Sequence, residues 1–457
     1  MAARTHSSSQ LDIIVVGAGL AGLAAAISCA LHGHKVTILE SAKELAEVGA
    51  GLQITPNASR LFQAWGVYDR LKQSAAEPTV LSVHRYSDGK LLAKDDQFNV
   101  HMRERYGAPF WDLHRVDVQR ELARRANELG VAVKLGTRVS NIDFDAPRVT
   151  TESGAEYHCD MIVAADGLWS KCRECLLKKK DTPLPTGDLA YRILLPLDQI
   201  KDQDLRDMVS KPACRFWVGP KAHVVAYSIR DGTIYNIVLL VPDDLPEHVS
   251  KQQGSVDEMM KLFDGWDPVL TRFLKCVTTV DKWKLMHRDE MDSWVNAQSN
   301  FVMIGDSCHP MLPYLAQGAN SAMEDGAVLG RLLGSLEHRS DLPKLLEIFQ
   351  RLRKSRGEAI VRETFKQRRD FHMENGPEQE ARDELFLSQL GKELTGAFPS
   401  RWTCPEVQPW IYGYRAEEEV DAALAAVRVL DQSDTSKEEE LQAAAKGFTT
   451  IEAIRSH

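Results

Sequence analysis

Residues 11–22 read LDIIVVGAGLAG, a short β-branched run that breaks into three glycines spaced GxGxxG. Leu11 to Val16 has the composition of a buried strand. The residues after Gly22 are Ala-rich and apolar as far as His32-Gly33, the pattern of a helix packed on all sides. A second strand, Lys35 to Leu39, closes on Glu40. Each glycine has a mechanical reason: Gly17 makes the tight turn, Gly19 lets the backbone approach a pyrophosphate, and Gly22 permits close packing of helix on strand. Glu40, 23 residues after Gly17, stands where a carboxylate accepts hydrogen bonds from a ribose. An acid there favours an adenosine ribose without a 2′-phosphate. The unit therefore predicts a Rossmann-like α/β domain with a parallel sheet, built to bind FAD or NAD.

The stretch Ile13–Leu31 carries one hydroxyl and no charge, enough to register as a membrane span. Its glycine spacing and strand-then-helix pattern assign it instead to the interior of a parallel sheet. A chain of 457 residues exceeds the usual single-domain size, so two or three substructures are expected. Composition is that of a soluble globular protein, 44% apolar and 26% charged, and the net charge of -9 argues against polyanionic partners. Lys178-Lys179-Lys180 is too short a run to reverse that. Eight scattered cysteines form no dense framework, which fits a reducing compartment. Cys172 and Cys175 make a CxxC, but no second Cys/His pair with metal spacing accompanies them, so no metal site is expected. The expectation is a cytoplasmic monomer or homodimer with neither a nucleic acid nor a membrane as partner.

Two later segments decide which dinucleotide is bound. Met161 to Ala165 is an apolar strand running into Asp166-Gly167-Leu168-Trp169-Ser170-Lys171-Cys172-Arg173, a DGxxSxxR pattern. Phe301 to Ile304 is another, ending in Gly305-Asp306 and continuing to His309-Pro310 as GDxxHP. GxGxxG, DGxxSxxR and GDxxHP in this order resemble the class A FAD-dependent aromatic hydroxylases, single-component monooxygenases on the para-hydroxybenzoate hydroxylase fold. The likeness covers about residues 10 to 375. Only one GxGxxG is present, so a nicotinamide cofactor has no second stable domain of its own.

The resemblance implies FAD held by Gly17, Gly19, Gly22, Glu40, Arg115, Asp166, Asp306, Gly318 and Ala319, with NADPH or NADH as transient reductant. Arg115 offers a rigid fork of donors that suits a pyrophosphate. Asp166 and Arg173 match positions linked to the pyrophosphate and to the nicotinamide cofactor, although an aspartate before Gly167 also suits a plain turn. After Asp306 comes Pro313-Tyr314-Leu315-Ala316-Gln317-Gly318-Ala319-Asn320 and a helix rich in small residues. Its N-terminus is expected to face the flavin, with Pro313 and Gln317 lining the substrate side. Ala316 stands where relatives often carry glycine.

Between Thr186 and Lys282 the pattern changes to short alternating strands, an antiparallel sheet that in this family roofs the flavin and holds the substrate. The expected boundaries are 1–80, 105–185 and 283–373 for a discontinuous FAD domain, 81–104 and 186–282 for the substrate sheet, and 374–457 for a helical extension without legible chemistry. On the strand GPKAHVVAYSIR, residues 219–230, His223, Val225 and Tyr227 share one face. Four residues at ~3.3 Å rise separate His223 from Tyr227 by about 13 Å, too far for a mutual hydrogen bond but suited to two ends of one aromatic pocket. Core packing is the bland alternative for both rings. Trp217-x-Gly219-Pro220-x-x-His223-x-x-x-Tyr227 is similar to the subgroup containing salicylate hydroxylase, 3-hydroxybenzoate 6-hydroxylase and fungal polyketide-phenol hydroxylases. Ser228 replaces a proline common in those relatives.

In that subgroup the His and Tyr bind and deprotonate a phenol. The resemblance thus implies hydroxylation of a phenolic aromatic compound by O2 through a C4a-hydroperoxyflavin, with Tyr227, His223 and Arg192 as the candidate catalytic residues. Arg192 would hold a carboxylate or ortho-carbonyl phenolate. Epoxidation and O2-independent flavin oxidoreduction remain alternatives on the same scaffold, and a benzoate, a hydroxypyridine and a polyketide phenol are not distinguished.

Overall fold

The computed structural model describes residues 9–45 and 50–432. Five parallel strands form the nucleotide half, in the order Phe301–Met303, Met161–Ala164, Asp12–Val16, Lys35–Leu39, Ala132–Lys134. Val16 is in register with Ala164 on one side and Leu39 on the other, and Ala164 with Met303. The strands therefore end together, bringing Gly17, Glu40, Asp166 and Asp306 to one carboxyl edge, where open α/β sheets bind ligands.

The helix Leu20–Leu31 is buried almost all round. It lies against the helix Gln317–Leu333, and glycine makes the approach possible: a Cβ on Gly326 would sit 2.5 Å from Ala25 N, and one on Gly330 would overlap the Ser28 hydroxyl. Gly22 plays the packing part expected of it, since a Cβ there would overlap the Gly17 carbonyl.

The second half is an eight-stranded sheet ordered Lys251–Gly254, Val280–His287, Leu184–Pro196, Ile234–Pro242, Ala222–Ile229, Ala213–Gly219, Val80–Arg85, Leu91–Asp95. All pairings are antiparallel except that of Ala213–Gly219 with Val80–Arg85, which is parallel because the latter strand arrives from an earlier part of the chain rather than through a hairpin. Alternation sorts the side chains by face. Trp217, Val224, Ala226, Ile237, Leu239 and Tyr191 pack under Leu205, Met259, Leu270 and Phe273 from three short helices. The opposite face turns toward the nucleotide half. Ser228 lies on the helix-covered face and donates to Val209 O at 2.6 Å, and the strand runs through it to Ile229 in unbroken register.

A 30-residue helix, Leu342–Phe371, spans both halves and ends at His372. Helices Pro377–Gln389, Gln408–Tyr412 and Ala416–Gln432 follow, and residues 433–457 of the expected extension lie outside the described residues. This C-terminal segment is part of the core: Phe386, Phe398 and Trp402 cluster with Phe110, Phe216 and Phe371. No helix among the described residues is long and apolar enough to cross a membrane, and no cluster of three or more His, Cys, Asp or Glu there is placed to hold a metal ion.

Candidate active site

A cavity of about 510 Å³ runs from the carboxyl edge of the parallel sheet to the underside of the eight-stranded sheet. Gly17, Gly19, Glu40, Arg115, Asp166, Asp306, Gly318 and Ala319 all line it, as do Arg192, His223, Tyr227 and Pro313. Of the residues singled out from the sequence, Gly22, Gln317 and Arg173 do not. Gly22 is consumed in packing. Gln317 is fully buried, donating to the Thr55 hydroxyl at 3.0 Å and accepting from Asn57 at 3.1 Å, so it braces the start of its helix instead of facing substrate. Arg173 points away to Asp181 at 2.6 Å and to Asp289 O at 2.8 Å, because an otherwise unpaired guanidinium could not be buried there.

The nucleotide end is built mostly from backbone. A Cβ on Gly19 would meet nothing within 4 Å, which leaves room for a ligand against the chain. Glu40 accepts from Ala18 N and from Ala42 N, each at 2.7 Å, and so is fixed at the cavity wall. Asp166 accepts from the Ser170 hydroxyl at 2.6 Å and from Cys172 N at 2.9 Å, so the turn role and a place in the cavity wall coexist. The helix Gln317–Leu333 has no side-chain cap, and Gly318, Ala319 and Ala322 of its first turns line the cavity. Its free N–H groups and positive dipole end face any anion that forms there. Ala316, which starts that helix, adopts φ 52°, the left-handed region in which glycine is usual.

The Gly305-Asp306 loop is anchored from behind by a buried ion network that the sequence did not disclose. Asp325 accepts from Gly305 N at 2.9 Å and meets His309 Nε2 at 2.6 Å. Arg353 reaches both Asp325 and the adjacent Glu324, and Arg356 reaches Glu324 at 2.9 Å, all fully or nearly fully buried. Against the cost of burial, Arg356 and Arg353 hold the Glu324 carboxyl below its usual range, and His309 and Arg353 do the same for Asp325. Trp410 and Tyr414 cover the Arg356 guanidinium at 4.9 and 4.0 Å from their ring centroids.

The substrate end is built from side chains in three cross-strand rows. His223 is level with Leu240 and Ala190, Val225 with Val238 and Arg192, and Tyr227 with Asn236 and Leu194. His223 and Tyr227 thus bracket the middle row of Val225, Val238 and Arg192, two residues from either end, as the strand spacing predicts. Burial and His372 lower the His223 imidazole well below its usual value, so it is neutral. Burial, with help from Asp112, pushes the Tyr227 phenol well up, so it too is neutral. Neutral imidazole is a proton acceptor and neutral phenol a donor, which separates two roles that the sequence left merged. Arg192 stacks on Trp283 at 4.7 Å, and its Nε is buried with no hydrogen-bond partner. Such a group is costly unless a ligand satisfies it.

Several wall residues escaped the sequence reading. Phe216, Met311, Leu312, Tyr314 and Trp402 also line the cavity. Trp402 corrects the view of the C-terminal extension as chemically silent: its Nε1 donates to Tyr314 O at 2.9 Å, joining the extension to the pocket wall. Asp112 is fully buried beside Gln53, with one carboxyl oxygen unpartnered and its acidity strongly suppressed by burial.

These features find their counterpart in known proteins. Residues 10–364 match the model of the FAD binding domain family. The chain belongs to that family. It is 50% identical over 422 residues to the FAD-dependent monooxygenase OpS4 of Beauveria bassiana (strain ARSEF 2860), covering 92% of this chain and 98% of that one. It is 31% identical to the 3-hydroxybenzoate 6-hydroxylase of Polaromonas naphthalenivorans (strain CJ2), covering 90% and 98%. Among solved structures, a salicylate hydroxylase substrate complex matches with a TM-score of 0.74 at 23% identity, covering 91% and 98%. CtdE in complex with FAD and substrate 4 matches with a TM-score of 0.77 at 22% identity, covering 93% and 100%. The chain is a FAD-dependent monooxygenase of the aromatic hydroxylase type. The open cradle at Gly19, the fixed Glu40 and the uncapped Gln317 helix fit the cofactor that this family binds.

Proposed function

We propose that this monooxygenase hydroxylates a phenolic aromatic compound bearing a carboxylate or ortho-carbonyl group, of the salicylate or polyketide-phenol kind, with NADPH or NADH as reductant. The observation that carries this reading is the face formed by His223, Arg192 and Tyr227, opening on the same cavity as the FAD cradle. Bound FAD, once reduced, supplies the activation of O2. An electrophilic oxygen needs an electron-rich ring, and ionising a phenol donates charge into it. A free phenol, with pKa about 10 as in tyrosine, is mostly neutral at physiological pH. His223 accepts the phenolic proton at Nε2, since Nδ1 is engaged elsewhere. Tyr227 donates a hydrogen bond to the ligand, and the Arg192 guanidinium, whose Nε has no hydrogen-bond partner, holds its anionic group. Trp402, Phe216, Val225 and Leu240 exclude water from the ring.

Eight free cysteines support placing the enzyme in the reducing cytoplasm. The test is a screen of phenolic acids for stimulated NAD(P)H oxidation under isotopically labelled O2. Labelled oxygen in a hydroxylated product is expected; NAD(P)H consumption with no label in any product would remove the hydroxylase reading.

A further inference from the structure

His223 does not stand alone. Its Nδ1 lies 2.7 Å from Nε2 of His372, a residue 149 positions later at the end of the long helix. The two rings are 4.9 Å apart between centroids, with Tyr314 and Phe371 packed on His223 at 5.1 and 5.4 Å. His372 is held by its own surroundings: its backbone carbonyl accepts from Lys221 N at 3.1 Å, and its Nδ1 has no hydrogen-bond partner but lies 3.9 Å from Asp188 Oδ2. Asp188 shares a strand face with Ala190 and Arg192, and accepts from the Tyr314 hydroxyl and from Arg368. His223 is closed off from solvent, whereas the His372 side chain keeps about 6% of its surface exposed and is followed in the chain by half-buried Met373 and exposed Glu374.

This arrangement answers a difficulty in the proposed chemistry. An imidazole sealed in an apolar wall cannot keep a second proton, so a base at His223 needs somewhere to send one. We propose that His223 and His372 form a two-imidazole relay that carries the substrate's hydroxyl proton out of the cavity, with Asp188 and Tyr314 positioning His372. The balance is simple. The substrate O–H bond breaks and an N–H bond forms at His223 Nε2, while the proton on His223 Nδ1 moves to His372 Nε2. His372 Nδ1, buried in the resting structure, then gives up its proton to water admitted by local movement of the helix end at Met373 and Glu374, and the nearby Asp188 carboxylate stabilises the transient cation. One proton leaves the substrate and one appears in bulk water, with both rings neutral again. The groups facing the pair are Tyr314, Asp188 and Arg368, with Tyr227 further along the His223 face. Both imidazoles are held below their ordinary range, His372 at about 4, so neither traps the proton near neutral pH.

The relay rests on the phenol reading above, and the experiment separates the two. The holoenzyme is mixed with 4-nitrophenol in weakly buffered solution containing a pH indicator, and both the coloured phenolate and the released proton are followed by stopped flow. The wild type is expected to ionise the bound probe and release one proton at matching rates. His372→Gln and His372→Phe should bind non-ionisable 4-nitroanisole within threefold of wild type but slow proton release on the order of 100-fold, the low end for losing a positioned proton acceptor. Added imidazole should restore much of the rate in His372→Ala, and Asp188→Asn should slow release less than the His372 variants. Unchanged release in both His372→Gln and His372→Phe, with His223→Gln still blocking ionisation, overturns the relay and leaves His223 as a base with another exit. A wild type that never ionises the bound probe overturns the relay and the phenol reading together.

Discussion

The two ends of the cavity are made of different material. The nucleotide end is a backbone construction: Gly17, Gly19, Gly318 and the uncapped helix start contribute shape, N–H groups and a dipole. The substrate end is a side-chain construction, in which strands paired in fixed register carry His223, Arg192 and Tyr227 to one face, and a helix end brings His372 beneath them. A backbone site depends on a few short-range conformations and tolerates no Cβ where chains touch. A side-chain site depends on long-range packing and can be retuned one residue at a time. Substitutions in the first should therefore abolish cofactor binding and stability together, and those in the second should separate chemistry from both.

Gly22→Val is the harshest way to press that contrast. With the Gly17 carbonyl already overlapping a hypothetical Cβ, the variant should lose more than about 4 kcal/mol of stability and purify without flavin absorbance. Retention of bound FAD would show that the glycine loop can yield.

Acid should single out the substrate end next. His372 titrates at about 4 in the folded protein against 6.5 for an ordinary histidine, so the unfolded chain binds the extra proton first as pH falls. The stability this buried neutral ring contributes is complete above 6.5 and is lost progressively down to about 4, on the order of 3 kcal/mol. Urea denaturation at several pH values across that range should show a shallower decline in His372→Phe than in wild type. Equal slopes would place the acid sensitivity elsewhere.

Tyr227→Phe should slow hydroxylation about tenfold, the worth of one hydrogen bond, while FAD affinity stays within twofold. The contrast between the two ends fails if flavin is lost instead, and turnover equal to wild type would deprive Tyr227 of its role. Smallest and opposite in sign is Ala316→Gly. Relieving a left-handed alanine should gain up to about 1 kcal/mol, offset in part by the greater freedom of glycine in the unfolded chain, and thermal melting reads the result.

Why one end was legible in the sequence and the other only in part follows from the same difference. GxGxxG, DGxxSxxR and GDxxHP are local because each codes one turn at one strand end, and the parallel register then aligns them without further information. The face shared by His223 and Tyr227 was legible from period-two alternation, and Arg192 from its place in a neighbouring strand. His372, Asp188 and Tyr314 were not, because their meeting depends on where a 30-residue helix stops relative to a sheet. Gln317 misled for a related reason: the first helical turn offers several faces, and only packing against Thr55 and Asn57 decides which one looks inward. The pairing of Glu324 and Asp325 with Arg353 and Arg356 leaves no signal in the sequence, since periodicity does not reveal that two charged helical faces are pressed together out of water.

Trp402 gives the order of manufacture a meaning. In synthesis Gly17 precedes the Trp402 indole, which lines the same cavity, by 385 residues. While the nascent protein is still tethered, the aromatic compartment lacks a wall and its neighbour Tyr314 lacks the indole N–H that meets its carbonyl. Oxygen chemistry in so open a vessel would spend reductant on water-accessible side products. A wall supplied so far along the chain makes a tight compartment a property of the folded whole and not of its nucleotide half.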